Sequence, residues 1–143
     1  MAVSVRILVV DDFEPWRPFL CSLLQQYPSW QIICEASDGL EAIEKNRELQ
    51  PDLILLDIGL PALNGIEAAQ QIRSIAPSSK IVSFSFSENC CLDVVQEAFR
   101  VGGNGYVVKS NAARDLVPAL EAVMANMQFV GRRFGPQDFS NSD

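Results

Sequence analysis

The sequence predicts an α/β fold: a doubly wound, five-stranded parallel sheet of the flavodoxin-like (βα)5 kind, with strand order 2-1-3-4-5. Three observations predict it. The run from Asp52 to Asp57 places four consecutive apolar residues after Pro51, the pattern of a strand buried on both faces. Runs of this kind alternate along the chain with stretches whose apolar residues recur at helical spacing. Two of the runs also end abruptly on acids, at Asp57 and at Asp11-Asp12, as fits a rim where the carboxyl ends of strands receive a ligand.

The first strand spans Arg6 to Val10, and Glu14-Pro15 opens a helix in which Trp16, Phe19, Leu20, Leu23, Leu24 and Tyr27 recur at helical spacing. Pro28-Ser29 stops that helix, and Trp30 to Ala36 is apolar and β-branched enough for a second strand. Ser37-Asp38-Gly39 is a turn and cap into a second helix carrying Leu40, Ile43 and Leu49. The third strand ends at Asp57. Breakers fill Gly59 to Gly65, and the next helix places Ile66, Ala69, Ile72 and Ala76 inward before Pro77 closes it. Lys80 to Phe86 gives a fourth strand whose serines 83, 85 and 87 share one face. A fourth helix, Leu92 to Val101, ends in Gly102-Gly103-Asn104-Gly105, and Tyr106 to Lys109 is a short fifth strand ending in a cation. The last helix, Ala112 to Met127, is amphipathic, with Pro118 tolerable only near its first turn or as a kink. Residues 1–128 are thus expected to form one domain, and 129–143 a tail or the start of a linker.

A chain of 143 residues with 48% hydrophobic content can bury one substantial core. The formal charge of −7 disfavours direct binding to nucleic acid or an anionic membrane, and points to proteins or cations as partners. No run approaches the roughly 18 apolar residues of a membrane span, so a cytoplasmic location is expected. The complete lack of histidine excludes Ser-His-Asp and Cys-His nucleophilic schemes and makes the usual zinc sets hard to assemble. Cys21, Cys34, Cys90 and Cys91 have no C-x-x-C spacing, and reduced, mostly buried thiols are expected.

In the expected topology the first and third strands are neighbours, so Asp11, Asp12 and Asp57 share a crevice. Clustered carboxylates repel, and either protonation of one or a divalent cation relieves them. Oxygen-only donors suit Mg2+, which keeps several waters and commonly takes one or two carboxylates with a phosphate oxygen. That arrangement leaves room for a phosphoryl group on Asp57, because a carboxylate can act as a nucleophile. Lys109 would neutralise one phosphoryl oxygen, and a hydroxyl from the fourth strand would donate to another. Taken singly, each residue has a plain reading: solvated strand-end acids, a surface lysine, a half-buried aromatic at Tyr106, and Trp16 as core or interface.

These motifs, in order over roughly residues 4 to 128, resemble the receiver domain of bacterial two-component response regulators. The acidic pair Asp11-Asp12, the strand ending at Asp57, the loop with Leu60-Pro61 and Asn64-Gly65, and Gly105-Tyr106 through Lys109 carry the resemblance. It implies that Asp57 accepts phosphate from the phosphohistidine of a sensor histidine kinase or phosphotransfer protein. Asp12, Asp57 and the Gly59 carbonyl would ligate Mg2+, with Asp11 acting mainly through water and Lys109 pairing with the phosphate. The switch hydroxyl falls on Ser85 when counted forward from Asp57, or on Ser87 when counted back from Lys109. Tyr106 matches the aromatic that changes rotamer, and output would use the face made by the fourth helix, fifth strand and fifth helix. Ser110 after the lysine and the segment Phe84 to Ser87 resemble NarL/FixJ-type transcriptional regulators. The resemblance thus implies a signalling domain that is not a turnover enzyme, either stand-alone or the N-terminal part of a transcriptional regulator, with a downstream output protein or domain. A homodimer would form through the output face or the first and fifth helices. The other reading is a degenerate receiver serving as a phosphorylation-independent interaction module. A metal-dependent phosphohydrolase is disfavoured, because Ile58, Gly59 and Leu60 supply no second aspartate after Asp57.

Overall fold

The computed structural model describes residues 4–58, 65–85 and 92–131. Its strands are β1 (Val5–Val10), β2 (Trp30–Ala36), β3 (Leu53–Asp57), β4 (Lys80–Ser85), β5 (Gly105–Val108) and β6 (Phe129–Val130). The helices are α1 (Trp16–Leu24), α2 (Gly39–Leu49), α3 (Gly65–Ile75), α4 (Leu92–Arg100) and α5 (Ala112–Met124). All neighbouring strands run parallel in the order β2-β1-β3-β4-β5-β6, so the expected order 2-1-3-4-5 holds and gains one short strand.

Alternation along each strand divides the core between the two faces of the sheet. Ile7 and Val9 of β1, Leu53 and Leu55 of β3, Val82 and Phe84 of β4 and Val107 of β5 pack with Trp16, Leu20 and Leu24 of α1 and with Leu116, Leu120 and Val123 of α5. The intervening residues Leu8, Val10, Ile54, Leu56 and Ile81 pack on the other face against Ala42 and Ile43 of α2 and Ala68, Ala69 and Ile72 of α3. A third cluster joins Ile58, Tyr106 and Val108 to Val95 of α4. Leu8 of β1 and Leu53, Leu55 and Leu56 of β3 are fully buried, so truncating one such leucine to alanine would cost about 2–5 kcal/mol.

Local chemistry sets the element ends. The Asp38 carboxylate accepts from the Glu41 amide at 2.8 Å while Glu41 Oε1 accepts from the Ser37 amide at 2.7 Å, a reciprocal cap that starts α2 where expected. The Arg73 guanidinium donates to the carbonyls of Pro77, Ser79 and Gly102 and to Asn104 Oδ1, tying the end of α3 to the link between α4 and β5. Burial lowers the Arg73 pKa from its ordinary value.

Several expectations are corrected. Leu40 is 62% exposed, because the inward stripe of α2 runs through Ala42, Ile43 and Asn46. The last helix ends at Met124, where Asn126 turns left-handed at φ 64, and Met127 is exposed. Of the two places open to Pro118 the first turn is ruled out, since it lies inside α5. Cys21 is exposed and Cys34 half-buried; both thiols are free. Phe129 and Val130, which carry no periodicity, pair with Gly105 and Tyr106.

Candidate functional site

The polar site grows out of the apolar rows that build the sheet. Ile7 and Val9 lead to Asp11, Leu53 and Leu55 to Asp57, and Val107 to Lys109, each two residues further along the face covered by α1 and α5. Parallel pairing of β1 with β3 and of β4 with β5 brings these ends together at one rim. The same periodicity that buries the core therefore aims three charged side chains into one place.

All three are nearly enclosed: Asp11 is 0%, Asp57 7% and Lys109 8% exposed. Lys109 Nζ stands 2.5 Å from Asp11 Oδ2 and 3.4 Å from Asp57 Oδ2, a single ammonium bridging two carboxylates. Asp11 Oδ1 also accepts the Phe13 amide at 2.7 Å, fixing the turn that follows β1. Burial pushes the Asp11 carboxyl above its ordinary pKa against the pull of Lys109 and the Phe13 amide, and the negative charge of Asp57 adds to the rise. Asp12 is exposed, and one carboxylate oxygen from each of Asp11, Asp12 and Asp57 lies within 4.8 Å of the others. Among the described residues, three carboxylates with one ammonium between them form an oxygen-rich pocket that fits a hard divalent cation such as Mg2+.

The surrounding backbone approaches closely. Gly65 opens α3 against the end of β3, and its amide donates to the Ile58 carbonyl at 3.2 Å. A Cβ there would stand 2.2 Å from Ile58 Cα and 2.3 Å from the Asp57 carbonyl oxygen, so only glycine fits. Phe84 is the register partner of Asp57, and β4 ends one residue later at Ser85, opposite Val108. The Ser85 backbone thus reaches the rim. Ser87, Gly59, Leu60, Pro61 and Asn64 lie outside the described residues, as do Cys90 and Cys91. Tyr106 is fully buried against Ile58, Val95 and Val108, more deeply than a half-buried edge aromatic.

Residue-by-residue reading missed the aromatic wall. The Lys109 ammonium lies 5.2 Å from the centre of the Trp16 ring and 6.0 Å from that of Phe13. An aromatic at the first position of the helix after an acidic pair was the available signal, and core packing explained it equally well.

The sequence pattern of the response regulator receiver domain matches residues 7–121. The chain belongs to the response regulator receiver family. This receiver is 36% identical over 119 residues to the transcriptional regulatory protein LnrK of Bacillus subtilis, covering 83% of this chain and 53% of that protein. It is 36% identical over 130 residues to the nitrate/nitrite response regulator protein NarL of Escherichia coli, covering 91% of this chain and 59% of NarL. The receiver thus spans little more than half the length of these regulators. Against the chemotaxis protein CheY of Thermotoga maritima it is 35% identical over 118 residues, with 82% of this chain and 96% of CheY covered. Among solved structures, a two-component response regulator of the LuxR family from Aurantimonas sp. SI85-9A1 superposes with a TM-score of 0.83 at 32% identity, over 94% of this chain and 92% of that one. Receiver domains are signalling modules whose general function is phosphoryl transfer, and they generally bind Mg2+ at their acidic pocket. Among the described residues, no helix is long and apolar enough to cross a membrane.

Proposed function

We propose that this receiver takes a phosphoryl group onto Asp57 from the phosphohistidine of a sensor histidine kinase or phosphotransfer protein and passes the change to an output partner or domain. The observation that carries this reading is the buried Lys109 bridge between Asp11 and Asp57, at the mouth of which Asp12 is exposed. An Asp57 carboxylate oxygen attacks phosphorus, forming the O–P bond as the partner's N–P bond breaks; the electron pair leaves with the imidazole, which takes a proton from water. Lys109 turns from Asp11 toward a phosphoryl oxygen, and the hydroxyl of Ser85, or of Ser87, donates to another. Asp12 and Asp57 with the Gly59 carbonyl would hold Mg2+, and Asp11 would act through water; the bound ion supplies neutralisation of the acids and of the charge on the transferring group. Loss of the Lys109–Asp11 pair and movement of the hydroxyl favour a new rotamer of Tyr106, and the face of α4, β5 and α5 is read by the output partner or by a second copy.

The test is intact mass after incubation with acetyl phosphate, with and without Mg2+, for the natural chain and Asp57→Asn. One Mg2+-dependent adduct, absent from the variant, is expected. Uptake persisting in Asp57→Asn would move the acceptor elsewhere, and no adduct on a folded, Mg2+-binding natural chain would favour either very fast self-hydrolysis or an interaction module that works without phosphorylation.

A further inference from the structure

Trp16 sits where two parts of the site meet. Its ring lies 5.2 Å from Lys109 Nζ, packs edge-on at 5.2 Å and 82° against Phe84, and stacks on Phe19 at 5.2 Å. Phe84 is level with Asp57 in the sheet, and its carbonyl accepts the Ile58 amide at 3.1 Å. Trp16 thus touches both the cation and the strand that stands beside the nucleophile. It is only 7% exposed, yet its indole N–H has no hydrogen-bond partner among the described residues. A plain core filler at this place would be leucine or phenylalanine, neither of which buries an unsatisfied donor. What the indole offers in return is the ring with the strongest attraction for a cation, set against a desolvated ammonium.

We propose that Trp16 is a positioning residue for Lys109: its ring face holds the ammonium in the gap between Asp11 and Asp57, ready to meet a phosphoryl oxygen. The inference rests on the receiver reading above and adds to it a residue outside the acid and lysine set. A lysine side chain has a flexible four-carbon stem and, unlike arginine, no planar fork to fix its direction. Two carboxylates alone allow the ammonium to follow either acid. A ring beside them narrows the range of Nζ positions without competing for its protons, so the charge is in place when the phosphoryl group arrives.

The test compares the rate of Asp57 phosphorylation by acetyl phosphate at saturating Mg2+ in the natural chain, Trp16→Phe and Trp16→Leu, with thermal midpoints measured alongside. Phenylalanine keeps a π face and removes no hydrogen bond, so its rate is expected within about twofold of the natural chain. Leucine removes the π face and is expected to slow uptake roughly three- to tenfold. If Trp16→Leu lowers the thermal midpoint relative to Trp16→Phe, Trp16→Met, an adaptable filler without a π face, takes its place with the same expectation. Equal rates in the phenylalanine and non-aromatic variants overturn the positioning role while leaving the receiver reading intact. Absence of any uptake in the natural chain overturns the receiver reading, and this inference with it.

Discussion

Replacing Lys109 by methionine tests the electrostatics of the site without phosphorylation. Methionine keeps the apolar stem and removes the charge that lies 2.5 Å from Asp11 and 3.4 Å from Asp57. Two enclosed carboxylates then face each other with oxygens within 4.8 Å. At that separation and an effective dielectric of about 20, their repulsion is about 3.5 kcal/mol. For a domain of this size such a loss lowers the thermal midpoint by about 7 to 14 °C. The pH dependence has a definite sign. The Asp11 carboxyl already lies above its ordinary pKa through burial, and removal of Lys109 deletes both the hydrogen bond and the positive charge that hold it down. A folded-state pKa raised above the unfolded value adds stability below the unfolded value and loses it as pH rises through the folded one. Lys109→Met therefore recovers toward the natural chain as pH falls through the raised Asp11 pKa, and Mg2+ stabilises it more than it stabilises the natural chain. Thermal and urea denaturation across neutral to mildly acidic pH, with and without Mg2+, measure these quantities. A stability gap that is independent of both pH and Mg2+ would refute the reasoning, because it would assign Lys109 to packing alone.

Two further predictions concern the frame around the acids. Gly65→Ala forces a Cβ into the backbone of Asp57 and Ile58 and is expected to destabilise by about 2 kcal/mol or more, seen as a fall in the urea midpoint; an unchanged midpoint would mean that α3 can withdraw freely from β3. Ser85→Ala is expected to weaken the phosphorylation-driven change in hydrogen exchange of α4 more than Ser87→Ala, with a roughly tenfold effect on the equilibrium. The reverse order would assign the hydroxyl role to Ser87.

The fold was legible because β1, β3, β4 and β5 are buried along most of their length, and their apolar runs are continuous and bounded by breakers. Asp57, Asp11 and Lys109 were legible for the same reason, as charged ends of apolar rows. What escaped was set by tertiary contact. Leu40 has the right spacing for α2 but lies outside a stripe that the sheet narrows to Ala42, Ile43 and Asn46. Phe129 and Val130 are too short a run to carry a period, and only the open edge of β5 makes them a strand. Trp16 read along the chain only as core or interface, because nothing in its spacing places it beside Lys109, and that contact exists only in the folded chain.

The sixth strand alters how the chain leaves the fold. After α5 the backbone returns to the sheet, where the Phe129 amide donates to the Asn104 carbonyl at 3.3 Å and the Gly131 amide to the Tyr106 carbonyl at 2.9 Å. Gly131 is therefore pinned to the backbone of Tyr106, rather than hanging from a helix end. Any shift of β5 along its axis pulls on that pin directly. A displacement of β5 would therefore carry Phe129 to Gly131 with it, even where the outer surface of the domain keeps its shape.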